Sequence, residues 1–488
     1  MNKIFNVLRE SFVLFLSFIF IILLICIKNT STNEGKNLCS FSNVYDESID
    51  SEYNRGVFNG TATTLNLGIQ NGNAFLYQGQ KLYFSFMSEN RQFVKLNYSG
   101  YSAKLKIFNK YYFNSNDYLF YSSNISNDVD IIYCEPSQTY ILEFESVTSG
   151  LWTMLLTLES LSLSMSNHQK YVMHLTYTSS STFGYRYDVE YKNINLYSSS
   201  NTSSYCNNLG YYATYLDLID NSLNFGITND SRKLITDTRA PEYSAVAYNL
   251  NAVCAYNIGD TSYYTTYYRG SGTFVDDTTV IGAAHCFYVK DDSVYGISNN
   301  TKFYPGANSY DDSVNWYKSF GEYTATNTYL PISYILAGDS INRVLYDWSI
   351  SLTANTYPGL YNHSYMGLYY TNSNSLDYVH SVGYPAVINC PSGNTTLYAR
   401  SMWTYCPLEN VVNCSFEDIP SSTIVVTQGN SGGPLYRYIE SYYNGTYYGS
   451  LQLIGICSLG WINANHQFYL ADWCKINPVI INMYEEVI

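Results

Sequence analysis

Short runs in which apolar and polar residues alternate dominate this chain, and runs with helical spacing are rare. Between residues 55 and 165 they recur at regular intervals, as KLYFSFMS, FVKLNYSG, AKLKIFNKYYF, QTYILEFESV and GLWTMLLTLES. A period of two is the pattern of a half-buried strand, and evenly spaced short strands separated by turn residues are typical of a sandwich. The pattern therefore predicts a β-sandwich over residues 37–165.

The rest of the sequence divides into a polar stretch and a second strand-rich region. Residues 166–225 contain YTSSSTFGY and YSSSNTSSYCNN, whose Ser, Thr and Asn content is typical of a linker. Strand-like runs return over residues 226–488, among them TTVIGAAHCFYV, YDWSISLT and LQLIGICSLGW, with one helix candidate from Cys474 to Val487. We therefore predict two all-β domains joined by a linker.

The charge and composition exclude some partners and leave one question open. With a net charge of -14 and no cluster of Lys and Arg, the chain lacks the basic surface that nucleic acid or anionic lipid would require. The 55 tyrosines suit half-buried strands, but a codon bias in AT-rich DNA would enrich tyrosine in any fold. Nothing in the sequence predicts an oligomeric state.

The N-terminus carries a targeting signal. Lys3 and Arg9 precede an uncharged apolar run over residues 12–27, so residues 1–28 are predicted to be a signal peptide or a signal anchor. A cleaved signal would make the protein secreted. An uncleaved one would make it a single-pass membrane protein with the C-terminal domain outside.

Cysteine usage fits an exported protein. Apart from Cys26 in the apolar run, ten cysteines remain, an even number that is compatible with five disulfides of unknown connectivity. No C-x-x-C pair occurs, so we predict no metal site and no cofactor. Sequons such as those at Asn97 and Asn394 are compatible with a glycoprotein, although a chain this rich in Asn, Ser and Thr has many by chance.

Three residues in separate contexts could form a nucleophilic site. His285 follows a buried strand and two alanines, Asp347 opens the strand YDWSISLT, and Ser431 lies in TQGNSGGPLY between glycines. Such a serine needs an imidazole base, and a carboxylate can orient that base. A lone histidine beside a strand is more often a core residue, and an isolated Asp-Trp is more often a turn, so the combination carries the interpretation.

The GNSGG motif also satisfies the nucleophile elbow of α/β-hydrolases, which requires a helix after the serine and an acid and a histidine downstream. Pro434 lies where that helix would start, and LYRYIE alternates like a strand. Only Glu440 and His466 could complete the downstream order, with too little chain left for parallel crossovers. The elbow interpretation therefore fails.

GAAHC and GNSGGP, with Asp347 between them, resemble the two most specific signatures of chymotrypsin-like (trypsin-fold) serine proteases. GITNDSRKLITDTRAPEYSAVAYN, FYPGAN and VGYP resemble the glutamyl endopeptidase or V8-like branch. The resemblance implies a double β-barrel over residues 226–488, with His285 and Asp347 from the first barrel and Ser431 from the second. It also implies an oxyanion hole formed by the N–H groups of Gly429 and Ser431. The final runs of the preceding sandwich faintly resemble jelly-roll modules of secreted bacterial peptidases.

The chain departs from the family at three points. Asn430 replaces the aspartate that pairs with a new N-terminus in the chymotrypsin branch, so that activation switch is not available. Val425 and Val426 stand at pocket positions and Cys457 replaces the pocket histidine of the glutamyl branch, which implies an apolar specificity pocket.

Family members with a cysteine after the histidine bridge it to an earlier strand, which makes Cys254 the expected partner of Cys286. Cys457 has two interpretations: a disulfide to Cys474, or a buried thiol in the pocket.

The sequence therefore predicts a secreted serine endopeptidase that acts on polypeptides through an acyl-enzyme. Activity is expected to rise at about pH 6 to 7 if the pKa of His285 is ordinary. The sandwich would be either a propiece or a permanent targeting module. The alternative is a catalytically idle protease fold or a protein that binds glycan or a cell surface.

Overall fold

The computed structural model describes residues 37–38, 62–192 and 233–488, except for gaps within the two longer ranges. These gaps are residues 66–67, 89–91, 101, 114–116, 126–128, 161–169, 236–237, 292, 308–319, 338–340, 358–364, 371–374, 377–378, 386–402, 406–410, 414–419, 423, 444–445 and 463–467. The predicted signal or anchor over residues 1–28 lies outside the described residues. No helix in the described part is long and apolar enough to cross a membrane.

Two five-stranded sheets form the N-terminal sandwich. The first contains β1 (Asn37–Leu38), β3 (Gly68–Leu76), β5 (Gln92–Gly100), β8 (Val129–Cys134) and β10 (Gly150–Ser160), in the order β1-β3-β10-β5-β8. The second contains β2 (Thr63–Leu65), β4 (Lys81–Ser88), β6 (Ala103–Asn109), β7 (Phe120–Ile125) and β9 (Gln138–Ser146), in the order β2-β4-β9-β6-β7. Tyr98 of one sheet stacks on Phe144 of the other, with ring centroids 5.7 Å apart.

A closed barrel of six strands follows. The strands of this region are β14 (Val246–Asn257), β15 (Tyr264–Phe274), β16 (Thr279–Gly282), β17 (Tyr288–Asp291), β18 (Val294–Pro305), β19 (Tyr323–Pro331) and β20 (Ser349–Thr353). The order β14-β15-β16-β20-β19-β18 returns to β14, because β18 pairs with both β19 and β14, while β17 extends the sheet beside β18. Buried aromatic rings such as Phe274 and Phe303 fill the barrel.

A ten-stranded sheet completes the C-terminal half. Its members are β13 (Lys233–Leu234), β21 (Gly367–Leu368), β22 (Ser375–Leu376), β23 (Val379–Gly383), β24 (Trp403–Tyr405), β25 (Val411–Asn413), β26 (Pro420–Ser422), β27 (Pro434–Tyr443), β28 (Thr446–Ile462) and β29 (Phe468–Lys475). The main path is β13-β24-β23-β27-β28-β29-β26-β25-β22, and β21 pairs with β28. The prediction of an all-β chain is confirmed, and the described residues contain one closed six-stranded barrel followed by the ten-stranded sheet.

Helices are few and short in the described residues. They are α1 (Pro241–Ser244), α2 (Ile332–Leu336) and α3 (Pro478–Val487). The last helix starts later than the sequence predicts, because Cys474 and Lys475 still belong to β29. Its start is fixed by the Asn477 side chain, which accepts a hydrogen bond from the N–H of Ile480 at 3.1 Å.

The predicted linker is wrong over part of its length. Within residues 166–225, the segments β11 (Tyr171–Tyr177) and β12 (Tyr185–Tyr191) form an antiparallel hairpin, and β11 pairs with β19 of the barrel. The physical reason is the pattern of YVMHLTY, whose apolar side chains Val172, Met173 and Leu175 are fully buried. Residues 166–169 and 193–225 of the predicted linker lie outside the described residues.

Candidate active site

The ends of two paired strands bring His285 and Asp347 together. In β16 and β20, Gly282 pairs with Ser349, so the residues just after β16 and just before β20 lie at the same end of the barrel. The chain leaves β16 through a short helical turn, Ala284–Cys286, that carries His285. Asp347 accepts hydrogen bonds from the His285 ring at 2.7 Å (Nδ1 to Oδ2) and from the His285 backbone N–H at 2.9 Å.

The two groups shift each other's pKa in opposite directions. The Asp347 side chain is 2% exposed and that of His285 is 26% exposed. Burial alone would raise the pKa of Asp347, but the charge and hydrogen bonds of His285 lower it below its ordinary value. Burial alone would lower the pKa of His285, but the Asp347 carboxylate raises it well above its ordinary value. The pair therefore favours an ionised carboxylate beside an imidazole that holds its proton tightly.

Ser458 is a third partner of the carboxylate that the sequence does not predict. Ser458 lies on β28 of the ten-stranded sheet and is 6% exposed. Its hydroxyl donates to Asp347 Oδ2 at 2.5 Å. The only sequence signal is a hydroxyl residue within the otherwise apolar strand LIGICSLGW. Three donors thus stabilise the ionised form of Asp347 and fix its orientation toward the imidazole.

The backbone conformation of the Ser431 loop depends on two glycines. Gly429 and Gly432 have φ angles of +93° and +83°, which L-residues with a side chain rarely adopt. The intervening N–H of Asn430 donates to Thr427 O at 2.9 Å, and that of Gly432 donates to Cys457 O at 2.9 Å. Within the described residues, the N–H groups of Gly429 and Ser431 have no protein acceptor, so they are available to an oxyanion.

Asn430 orders this loop locally. Its side chain is 3% exposed and accepts a hydrogen bond from the N–H of Thr427 at 3.0 Å. The loop therefore takes this conformation without the charged pair that an aspartate here would form with a new N-terminus.

The Ser431 loop packs directly against the strand and turn that surround His285. The N–H of Ser271 donates to the carbonyl of Ser431 at 2.7 Å, and the Ser271 hydroxyl donates to the carbonyl of Gly429 at 2.9 Å. The thiol of Cys286 lies 3.8 Å from the same Ser431 carbonyl. The structure thus places the backbone of the Ser431 loop against the turn that carries His285, and among the described residues no hydrogen bond joins the Ser431 hydroxyl to the imidazole.

Two glycines make this approach possible. A Cβ on Gly270 would lie 2.9 Å from the Cys286 sulfur and 3.0 Å from the Ser431 carbonyl oxygen. A Cβ on Gly432 would lie 2.3 Å from the Ser271 carbonyl oxygen. The contact between the nucleophile loop and the first barrel therefore excludes side chains at both positions.

The three residues expected to form the specificity pocket share one apolar cluster. Each of them is only 2–3% exposed: Val425, Val426 and Cys457. They pack with residues of the ten-stranded sheet, including Ile454 and Trp473. Their surroundings are apolar, and their role in specificity stays a prediction.

The expected Cys254–Cys286 disulfide is wrong in this structure. For Cys457, the disulfide interpretation is wrong and the buried-thiol interpretation fits. The described cysteines that are buried thiols are Cys134, Cys254, Cys286, Cys457 and Cys474. Cys286 lies against Gly270, which pairs with Asn249 in β14. Cys254 is five residues further along β14, a distance of about 16 Å at the usual rise per residue, whereas bridged cysteines need Cα atoms within about 7 Å.

The other expected pair fails for a different reason. Cys457 pairs with Trp473, and Cys474 pairs with Ile456. Neighbouring residues of a strand point to opposite faces, so the two thiols enter different clusters on either side of the sheet.

No family model and no curated protein match the chain. Solved structures do match it. A Glu endopeptidase solved in complex with MPD is 19% identical, with 53% of this chain and 97% of that chain covered and a TM-score of 0.37. The protease Anisep from Arthrobacter nicotinovorans is 17% identical, with 52% and 98% covered and a TM-score of 0.36.

Proposed function

We propose that the protein is a serine endopeptidase that hydrolyses peptide bonds through an acyl-enzyme. The observation that carries the proposal is the hydrogen bond between His285 and the buried carboxylate of Asp347, next to the Ser431 loop. In that loop the backbone N–H groups of Gly429 and Ser431 have no acceptor among the described residues. These are the parts that acyl transfer requires: an oriented base, a nucleophile and oxyanion donors. No metal or cofactor takes part.

In this mechanism each residue has one task. His285 takes the proton from the Ser431 hydroxyl as its oxygen attacks the scissile carbonyl, and then gives that proton to the leaving amine. The N–H groups of Gly429 and Ser431 stabilise the negative charge that develops on the carbonyl oxygen. Asp347 keeps the imidazole oriented and stabilises its positive charge, and water then releases the acyl group by the same steps.

Specificity and location extend the proposal. The apolar surroundings of Val425, Val426 and Cys457 support a preference for an apolar substrate side chain rather than Glu, Arg or Lys. The basic and apolar N-terminus supports export, with the catalytic domain outside the cell whether or not residues 12–27 are cleaved.

The central test replaces the nucleophile. Ser431→Ala should lower kcat/KM for a peptide or ester substrate about 10⁴-fold or more, while the circular dichroism spectrum stays the same. Ser180→Ala changes an exposed serine and serves as the matched control. A fluorophosphonate probe should label the parent and the control but not Ser431→Ala. Absence of labelling in the parent would instead favour a protein that only binds its partner.

A further inference from the structure

The sandwich docks on the first barrel through the turn between β8 and β9. Gln138 Nε2 donates to the carbonyl of Asp260 at 3.2 Å, and the hydroxyl of Tyr256 donates to the carbonyl of Pro136 at 3.1 Å. The hydroxyl of Tyr263 donates to the carboxylate of Glu135 at 3.0 Å, and Glu135 is 4% exposed. These bonds join the sandwich to the hairpin of β14 and β15.

Aromatic packing makes the two bodies share one core. The hydroxyl of Tyr133 donates to that of Tyr288 at 3.0 Å, and both side chains are 2% exposed. The ring of Tyr263 packs edge-on against Tyr112 of the sandwich and Phe183 of the β11–β12 turn, with centroids 5.4 and 5.1 Å away. Removal of the sandwich would therefore expose large apolar rings of the barrel to water.

The β11–β12 hairpin belongs to both bodies. Five residues of β11, Val172 to Thr176, pair with β19 of the barrel. The same hairpin bonds to the sandwich, because the N–H of Tyr187 donates to the carbonyl of Leu119 at 3.0 Å and that of Thr182 donates to Asp117 at 2.7 Å. The hairpin precedes residues 193–232, so a chain cut there would leave it on the N-terminal piece.

The sandwich also contacts the barrel near the turn that carries His285. Tyr133 bonds to Tyr288, which follows His285 by three residues and opens β17. The docked surface therefore extends from the β14–β15 hairpin to the strand that follows His285.

We propose that the N-terminal half is a permanent, strand-paired part of the catalytic unit and is not released after cleavage. A chain cut within residues 193–232, including a cut near Gly226, stays together as two fragments held by the β11–β19 ladder and the aromatic interface. The inference concerns assembly and goes beyond the proposed activity.

The test cuts the full-length chain at a chosen place. A recognition sequence for a site-specific protease is inserted after residue 210 in one version and after residue 225 in another, both with Ser431→Ala to exclude self-digestion. A denaturing gel confirms the cut, and native size-exclusion chromatography then reports assembly. We expect both fragments to elute together at the volume of the intact chain. Two separate native peaks would overturn the proposal.

Variants and calorimetry add independent readouts. Tyr263→Ala should release at least tenfold more N-terminal fragment on dilution than the parent, whereas Tyr267→Ala, at a 66% exposed tyrosine of β15, should behave like the parent. The uncut protein should melt in one calorimetric transition. Two independent transitions, or equal release from the two variants, would count against the shared core. Because none of these readouts measures turnover, they fail or succeed separately from the proposed peptidase activity.

Discussion

The protein contains two histidine–carboxylate pairs that look alike in a list of contacts and differ in chemistry. His285 Nδ1 lies 2.7 Å from Asp347, and His174 Nδ1 lies 2.5 Å from Glu190 on the β11–β12 hairpin. In both pairs the carboxylate raises the pKa of the imidazole against the opposing effect of burial. A short bond between an imidazole and a carboxylate therefore does not by itself identify a catalytic site.

The difference lies in the second ring nitrogen and in the surroundings of the carboxylate. Nε2 of His174 is bonded to Asn327 at 2.9 Å, whereas Nε2 of His285 has no oxygen partner among the described residues. The Glu190 side chain is 25% exposed and that of Asp347 is 2% exposed. Only the His285–Asp347 pair lies beside the Ser431 loop, which is the position that base catalysis needs.

Replacing each histidine gives the largest expected contrast. His285→Ala should lower kcat/KM about 10⁴-fold, because it removes the base. His174→Ala should change kcat/KM less than about threefold, since the contacts described for the His174 ring are with Glu190, Asn327 and Tyr329 and with no residue of the candidate site. Steady-state kinetics on one peptide substrate measures both. Equal losses in the two variants would contradict the distinction.

The hydroxyl groups beside the two pairs give a smaller contrast. Ser458→Ala removes one of three donors to Asp347, and a hydrogen bond to a charged group contributes about 1.5–3 kcal/mol. We expect kcat/KM to fall about tenfold or somewhat more with KM almost constant. Thr176→Ala removes a hydroxyl 3.4 Å from Asn327, beside His174, and should leave both constants unchanged. A purely structural role for Ser458 would appear as lost stability with normal kcat.

The pH profile gives the subtlest contrast. Because Asp347 raises the pKa of His285, kcat/KM should rise with pH at a midpoint above the ordinary histidine value of about 6.5. The expectation of a rise at about pH 6 to 7 held for an ordinary pKa of His285, and the raised pKa moves the expected midpoint upward. His174→Ala should leave the midpoint in place, although His174 also titrates at a raised pKa. A midpoint at or below the ordinary value would show that Asp347 does not control the base.

The same proton links activity to stability. A group with a raised folded-state pKa stabilises the fold fully below its ordinary pKa and loses that contribution as pH rises through the folded-state value. The His285–Asp347 pair should therefore stabilise the protein least in the pH range where its imidazole is neutral and able to act as a base.

Local patterns predicted the strands and singled out His285 and Asp347, which the structure joins, because alternation and the sequences around His285 are short-range signals. The role of Ser431 stays a prediction. Contacts between distant segments were not predictable in this way. Ser458 reaches Asp347 across 111 residues, and β11 finds β19 across more than 150 residues. The sequence around one partner contains no signal that identifies the other. The sequence pattern therefore predicts a linker where the hairpin lies, and it does not predict the contact of Ser458 with Asp347.

The disulfides failed for a related reason. An even number of cysteines, and the position of Cys286 next to His285, do not indicate which strand or which face of a sheet carries the partner of a given cysteine. Cys457 and Cys474 are on neighbouring strands, yet their opposite faces separate the thiols.

The junction at Gly270 and Gly432 has a consequence for how this protein can vary. Every substitution at either position adds a Cβ where the opposing backbone or thiol already lies within 3.0 Å. In a scan of all single substitutions scored by activity, these two positions should be as intolerant as His285 itself, although neither contributes a single side-chain atom to the reaction.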